Sequence, residues 1–432
     1  MSTRLRFQGV LILSVLLSVV LFFRAHSSVK EQRSVPVHPT ADAIEPEDIL
    51  AEVDPEQLLS LLEPPRDSAL PALRVTSSGR EYLLHSNLRP RLQLAALDLL
   101  ARSGTLAAAA VILDPATGDV LALAEGGDPE LIDQLDPLAG EAIDAMPEHL
   151  ALASCFPAAS LFKLVTAAGA VESRGLDQTT VLKHVGRKHT LYRFQLRELE
   201  ERYGDQVDLA TAFARSINPV FGKLGIFFLG PDLLTRYAHE FLFNRDLPFE
   251  LPVGVSQYSM PEEEFALAEA ASGFNKSTTL SPLHAALLAA TVVNHGLMMK
   301  PRLLTGFSDP EEKLLVHTPP SVLAMPIDAD TSLTLAALME ETVRSGTCRK
   351  TFRRRLRRFE QAGMTFGAKT GTVNDLTDRY KIDWTIAYSE AEDHAKTLAV
   401  AVLAIHGESL GIRSSELTAL LLSIALDDQH RG

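Results

Sequence analysis

From Phe7 to Phe23 the chain runs 17 residues without a charge, with Arg4 and Arg6 before it and Arg24 after it. That length just spans a bilayer core and exceeds the usual apolar region of a secretory signal. It predicts a transmembrane signal anchor over 7–23 behind a short cytoplasmic tail, 1–6. Ala25 and Ser27 would suit a cleavage site, so a cleaved signal is the alternative reading. A buried soluble helix is the weaker one, because it would normally carry a polar face. Arg24, Lys30 and Arg33 balance the two N-terminal arginines, but a long C-terminal domain translocates largely regardless of such flanks. The pattern therefore predicts a single-pass protein of the inner membrane with its main domain on the periplasmic or extracellular side.

Residues 24–75 read as a stalk, rich in Pro and acid from Val35 to Leu73, with one short helix near Asp54 to Leu62. Residues 76–427 read as one domain. Order begins at Arg80–Leu84, followed by a helix with Asn87 as candidate cap, Pro90 in the first turn, and Leu92, Ala95, Ala96 and Leu99 on one stripe. Gly104 ends it. Ala108–Leu113 and Val120–Ala124 are apolar strands joined by the turn residues Asp114-Pro115-Ala116-Thr117-Gly118, which predicts a hairpin. From Pro147 to about Leu303 the pattern is mainly helical. Strands return at Thr365–Val373, Asp383–Tyr388 and Thr397–Ile405. A last helix, Ser415–Leu426, places Leu417, Leu420, Leu421 and Ile424 on one face. The expected fold is α+β: an antiparallel sheet completed by distant segments, flanked by helices, with an all-helical subdomain inserted and one N-terminal transmembrane helix in front.

Of the 432 residues, 46% are hydrophobic and 22% charged, so most of the chain can build a packed core. The net charge of −14 disfavours a nucleic-acid partner. Cys155 and Cys348 lack the spacing of a zinc site and read as two buried thiols, a disulfide between them being the alternative. His239-Glu240 lacks the second histidine of a zinc protease helix, and neither a metal nor a cofactor is indicated.

The most informative stretch is Pro157-Ala158-Ala159-Ser160-Leu161-Phe162-Lys163, opening a helix whose continuation to Val171 is apolar nearly all round. Spacing i to i+3 stacks Ser160 and Lys163 one turn apart, within hydrogen-bond reach. A lysine in a dry site near another cation loses its proton readily and can act as base. A serine at a helix start also lies beside backbone N–H groups that can hold an oxyanion. By itself the pair is weak: Ser27 with Lys30 repeats the spacing by chance, and Ser160 could simply cap a helix while Lys163 reaches solvent.

Two further segments bear on it. Ser216-Ile217-Asn218 stands before Pro219, which favours an exposed turn and offers a hydroxyl for proton relay and an amide for substrate; a plain helix cap is the bland reading. Lys369-Thr370-Gly371-Thr372 lies on an expected strand. Gly371 would let a substrate backbone approach, Lys369 and the threonines could hold a carboxylate, and the Thr372 N–H could serve as an oxyanion donor. A strand lysine is more often an edge-protecting charge.

Serine-x-x-lysine, serine-x-asparagine and lysine-threonine-glycine in this order resemble the penicillin-binding transpeptidases, of the serine D,D-peptidase and serine β-lactamase-like superfamily. The likeness runs roughly from Arg80 to His406. It includes Leu92-Gln93-Leu94-Ala95-Ala96, Ala109 to Pro115, Gly118 to Ala122, Phe221-Gly222-Lys223-Leu224-Gly225, Leu280-Ser281-Pro282-Leu283 and Ser345-Gly346-Thr347. The resemblance implies acylation of Ser160 by the penultimate D-alanine carbonyl of a peptidoglycan stem peptide. Lys163 would be the base and Ser216 would pass a proton to the leaving D-alanine. Asn218 would bind the peptide amide, and Lys369, Thr370 and Thr372 the carboxylate, beside Gly371. An amine would then give a cross-link and water only trimming, while β-lactams would stay attached to Ser160.

Ala158-Ala159 replaces the family's common proline-glycine before the nucleophile, and Leu376 to Asp383 lengthens the link from the third motif to Trp384. No glycosyltransferase domain or large pedestal is recognisable before Arg80, which points to a D,D-transpeptidase on a stalk working beside a separate glycan polymerase in the membrane. The alternatives are a D,D-carboxypeptidase or β-lactamase-type hydrolase, and a non-catalytic penicillin-binding scaffold. The basic run Arg349, Lys350, Arg353, Arg354, Arg355, Arg357, Arg358 reads as a solvated helix face or as a contact for anionic lipid or wall polymer. Trp384 reads as core, with sugar stacking as the sharper alternative.

Overall fold

The computed structural model describes residues 49, 52–63, 72–127, 149–198, 203–311, 313–374, 379–391 and 397–429. The expected tail and anchor, 1–23, lie outside the described residues, as does much of the expected stalk. Among the described residues no helix is long and apolar enough to cross a membrane.

The short helix read near Asp54 is α1, Pro55–Leu59, running on as a tight turn to Leu62. Asp54 caps it by accepting from the Glu56 N–H at 3.0 Å, and Pro55 occupies the first turn, where a missing N–H costs nothing. Its Leu58, Leu61 and Leu62 are buried. The buried Gln93 amide stitches this segment to the domain, donating to the carbonyls of Leu62 at 2.6 Å and Leu123 at 2.7 Å. Strands β1, Ala72–Ser77, and β2, Arg80–Ser86, form an antiparallel hairpin, so ladder pairing begins inside the segment read as stalk. Helix α2, Pro90–Ala101, starts after Arg89. Asn87 is not its cap: the Asn87 amide donates to the Arg302 carbonyl at 3.2 Å, a partner remote in sequence. The expected hairpin follows as β3, Ala107–Leu113, and β4, Val120–Gly127.

The inserted helical part contains α3, Lys163–Arg174; α4, Leu209–Ala214; α5, Asn218–Lys223; α6, Gly230–Glu240; α7, Glu264–Ser272; and α8, Pro282–Val293. The inserted part is not all-helical: Val181–His184 pairs antiparallel with Asp205–Asp208 inside it, held by a partner strand rather than by an apolar pattern of its own. Longer strands also reappear earlier than the apolar pattern predicts. β5, Leu304–Ser308, and β6, Leu314–His317, join β2 in a four-stranded sheet of order β1-β2-β5-β6. Leu-Thr-Gly-Phe-Ser has little alternation, and what holds it as a strand is β2, for example His85 bonded to Ser308 across 223 positions at 2.7 Å.

The chain closes with α9, Ala329–Arg344; α10, Arg349–Glu360; β7, Thr365–Asn374; β8, Lys381–Glu390; β9, Leu398–His406; and α11, Ser414–Gln429. The main sheet has the order β7-β8-β9-β3-β4, antiparallel throughout, with Val400 opposite Ile112 where the two distant segments join. Every residue of β3 and β9 is buried. A strand covered on both faces can be apolar at every position, which is why these two read as unbroken apolar runs. On one face Ala108, Ala110 and Ile112 meet a single core built with Leu92 and Ala96 of α2, Phe352 and Leu356 of α10, and Leu417 and Leu421 of α11. Helix α8, buried along its whole length, packs on β3, β8 and β9 as well. The edge strand β7 is left free to border the helical part, and the candidate site forms there.

Candidate active site

Ser160 sits in a tight turn, Ala159–Phe162, that runs straight into α3. The turn is pressed against β7. A Cβ on Gly371 would stand 3.1 Å from Ala159 Cβ and 3.2 Å from the Ser160 nitrogen, so a side chain there would push the turn back by a few tenths of an ångström. Trp384, fully buried on β8, donates its indole N–H to the Pro157 carbonyl at 2.9 Å and ties the approach to the turn to the sheet. It is a core residue, which removes the sugar-stacking alternative. Ala159 at φ 49° and Ser216 at φ 53° both occupy the left-handed region without being glycine, a strained conformation that persists where surrounding contacts impose it.

Lys163 is completely buried one turn beyond Ser160. Its Nζ lies 2.8 Å from Ser160 Oγ and 2.8 Å from Asn218 Oδ1, and it also bonds the Ser272 carbonyl. The last two partners can only accept, so they take two N–H bonds. The third partner is a hydroxyl, which can donate. A neutral amine fits this triad completely: two protons outward to the carbonyl oxygens, one lone pair toward the Ser160 O–H. Burial, reinforced by the positive charge of Lys369, holds Lys163 well below the usual lysine range, so the electrostatics favour the same neutral form.

The second lysine is also buried. Lys369 Nζ donates to Ser216 Oγ at 3.1 Å and to the Thr370 carbonyl at 2.7 Å. Burial lowers its pKa to about 7, against a small opposing effect from Cys348. Phe221 lies under Lys163 at 5.6 Å and Phe213 under Lys369 at 5.5 Å, aromatic faces that suit a cation without supplying a counter-charge. The Thr370 and Thr347 hydroxyls are hydrogen-bonded to each other at 2.7 Å. Thr372 Oγ donates to Asp383 Oδ1 at 3.0 Å. Asp383 in turn accepts from Arg413 Nε at 2.7 Å, Arg413 Nη2 at 2.9 Å and the Ser414 N–H at 3.0 Å. Burial alone would push the Asp383 carboxyl up, but His406 at 3.7 Å, the Arg413 guanidinium and the Ser414 N–H together hold it well below the usual carboxylate range.

These groups surround a cleft of about 610 Å³ lined by Ser160, Ser216, Asn218, Thr370 and Thr372. Lys163, Lys369 and Gly371 stand immediately behind its wall through the contacts above. The structure thus brings all eight residues singled out in the sequence to one place. It adds several that the sequence did not mark as site residues: His189, Phe274, Thr347 and Arg413 line the same cleft. Ser272 contributes only its backbone carbonyl, and Gly273, at φ +60°, sits where any Cβ would strike the Ala159 carbonyl. Backbone groups leave no mark in a residue pattern. Arg413 had one signal, its place just before the last helix, but its partner Asp383 is 30 positions away. Both cysteines are free and buried, so they form no disulfide.

A serine hydroxyl aimed at a neutral buried lysine, with a second serine and lysine beside it on the edge of an antiparallel sheet, is the apparatus of a serine acyl-transfer site. Residues 108–419 match the family described as penicillin binding protein transpeptidase domain, and the chain belongs to that family. It is 28% identical over 345 residues to the peptidoglycan D,D-transpeptidase PbpA of Mycolicibacterium smegmatis; the match takes in 73% of this chain and 66% of that protein's length. The crystal structure of PBPA from Mycobacterium tuberculosis aligns with a TM-score of 0.62 at 25% identity, covering 81% of this chain and 82% of that one. The imipenem acyl-enzyme complex of M. tuberculosis penicillin-binding protein A aligns at 0.63 and 24% identity, covering 79% of each, which shows the shared fold.

Proposed function

We propose that the chain is a peptidoglycan D,D-transpeptidase that works through an acyl-enzyme on Ser160 and is acylated there by β-lactams. The observation that carries this reading is the triad around Lys163 Nζ: two obligate acceptors, Asn218 Oδ1 and the Ser272 carbonyl, leave its lone pair for the Ser160 proton. Lys163 takes that proton as Ser160 Oγ attacks the penultimate D-alanine carbonyl. The N–H groups of Ser160 and Thr372 receive the oxyanion. Ser216 relays a proton to the leaving D-alanine amine, and Lys369, bonded to Ser216, holds the relay and attracts the substrate carboxylate toward Thr370. With Asn218 Oδ1 already accepting from Lys163, its N–H₂ is the group free to donate to a peptide carbonyl of the substrate. The name of the Mycolicibacterium relative and the β-lactam acyl-enzyme found in a structural neighbour support the same chemistry.

The test is labelling with a fluorescent penicillin. The wild-type chain should carry the label covalently, and Ser160→Ala should lose it; label retained by the variant would remove Ser160 from the mechanism. The reading also includes a single-pass anchor at 7–23, with the domain outside the inner membrane, and a separate glycan polymerase as partner. Release of the chain from membranes by alkaline carbonate would count against the anchor. Cross-linked product formed from lipid-linked precursor by the purified chain alone would count against the polymerase.

A further inference from the structure

One cleft residue has no part in the acylation just described, yet the fold builds a loop to present it. Between the strand Val181–His184 and the short helical turn Arg193–Leu196, the chain wraps around the amide of Gln195, which is fully buried. Gln195 Nε2 donates to the Val185 carbonyl at 2.9 Å and the Arg187 carbonyl at 3.1 Å, while its Oε1 accepts from the Tyr192 N–H at 2.9 Å and Thr190 Oγ at 3.2 Å. Four bonds from one side chain fix the loop. Gly186 turns at φ +74°, where a Cβ would meet that same amide at 2.9 Å. The loop is then hooked to the second motif: the Asn218 N–H donates to the Lys188 carbonyl at 2.7 Å. His189, the next residue, lines the cleft with Ser160, Ser216 and Asn218 and is exposed enough to meet a ligand.

The second half of the proposed reaction needs a base in this cleft. An acceptor amine reaches the acyl-enzyme as an ammonium ion, since alkyl ammonium groups resemble lysine, with a pKa of about 10.4. An ammonium has no lone pair and cannot attack. Lys163 and Ser216 are placed to handle the proton that leaves the nitrogen after attack, as the reverse of leaving-group protonation, but the ammonium must first lose another. Resting on the transpeptidase reading above, we propose that His189 is a catalytic base that takes this first proton from the acceptor ammonium. The neutral imidazole accepts it and becomes imidazolium, the amine lone pair forms the C–N bond at the acyl carbonyl, and the C–O bond to Ser160 breaks. Ser160 Oγ regains a proton by way of Ser216 and Lys163, and His189 later releases its own to solvent.

The surroundings keep His189 in the form this step requires. Partial burial in the cleft wall holds its pKa below the usual imidazole value; the Ser216 main chain opposes this, and the positive charges of Lys369 and Lys188, with that of Lys163 whenever it is protonated, add to it. Lys276 lines the same cleft. The charges of Lys188 and Lys369 near the imidazole favour an uncharged acceptor over an imidazolium.

The experiment compares wild type, His189→Gln and His189→Ala for acylation by a thioester donor and for partition of the acyl-enzyme between transfer and hydrolysis. The acceptors are a D-amino acid amine and hydroxylamine, which is uncharged at neutral pH. Both variants should lower transfer to the D-amino acid at neutral pH by roughly 10²-fold relative to acylation. The loss should shrink as pH rises toward the acceptor's own pKa, be small with hydroxylamine, and be partly restored in His189→Ala by added imidazole. An unchanged partition, or an equal loss with hydroxylamine and no imidazole rescue, overturns the role of His189. Failure of the wild-type chain to acylate at Ser160 would instead overturn the transpeptidase reading on which it rests.

Discussion

At the scale of single residues the site is a problem in where protons reside. Two buried lysines stand in one cleft wall, and they are proposed to act in opposite protonation states. Lys163 has two acceptors and a hydroxyl around it, surroundings that favour the neutral amine. Lys369 must be charged to draw a carboxylate, and its pKa of about 7 places the loss of that charge within the working range. The second-order rate constant of acylation, which reports the free enzyme, should therefore be bell-shaped. It rises with pH as Lys163 gives up its proton and falls above about 7 as Lys369 does. Lys369→Arg keeps its charge throughout that interval. Whatever its overall rate, this variant should lose the alkaline limb when acylation is followed by stopped-flow with a chromogenic cephalosporin; an unchanged limb would assign the fall to another group.

At the scale of elements, the basic run before the third motif is explained mainly by packing. As helix α10 it turns Phe352, Leu356 and Phe359 into the core. Arg354 and Arg355 meet Glu416 of α11, at 2.5 Å and 2.6 Å, and Arg358 meets Asp427. Arg349, Lys350, Arg353 and Arg357 have no acidic partner among the described residues and face solvent. Urea unfolding should separate the two sets. Leu356→Ala should cost about 2–5 kcal/mol through the cavity it leaves, whereas Arg353→Gln should change stability by less than about 0.5 kcal/mol. Glu416→Gln, which strands two partly exposed arginines, should fall between them at about 1 kcal/mol. Equal effects of Leu356→Ala and Arg353→Gln would mean that α10 is not anchored by its apolar face.

At the scale of the whole molecule, the nucleophile, the second motif and the third motif belong to a turn, a helix start and an edge strand that the chain visits in widely separated passes. The main sheet is complete only when β9 pairs with β3, across all the residues that separate them in the chain. An acyl group on Ser160 stays attached when the chain unfolds but can meet the cleft walls only in the native state, so those contacts should raise the midpoint of the cooperative transition. Differential scanning calorimetry should show this upward shift with penicillin for wild type and none for Ser160→Ala. A shift of equal size in the variant would mean that non-covalent binding alone supplies it.

Legible in the residue pattern were the hairpin β3–β4, the strands β7 to β9 and the last helix, because burial on one face or on both dictates residue type along an element. The sequence also marked Ser160, Lys163, Ser216, Asn218 and Lys369, since each carries its chemistry in a side chain. What it left open was what lies opposite each group. The strand β5, the attachment of Asn87 to Arg302, the Asp383–Arg413 pair and the Ser272 carbonyl on Lys163 all depend on partners remote in sequence or on backbone atoms common to every residue. The lowered pKa of Lys163 belongs to the same class: a lysine alone is a cation, and only burial among acceptors and beside a second lysine favours the neutral amine that the proposed mechanism uses.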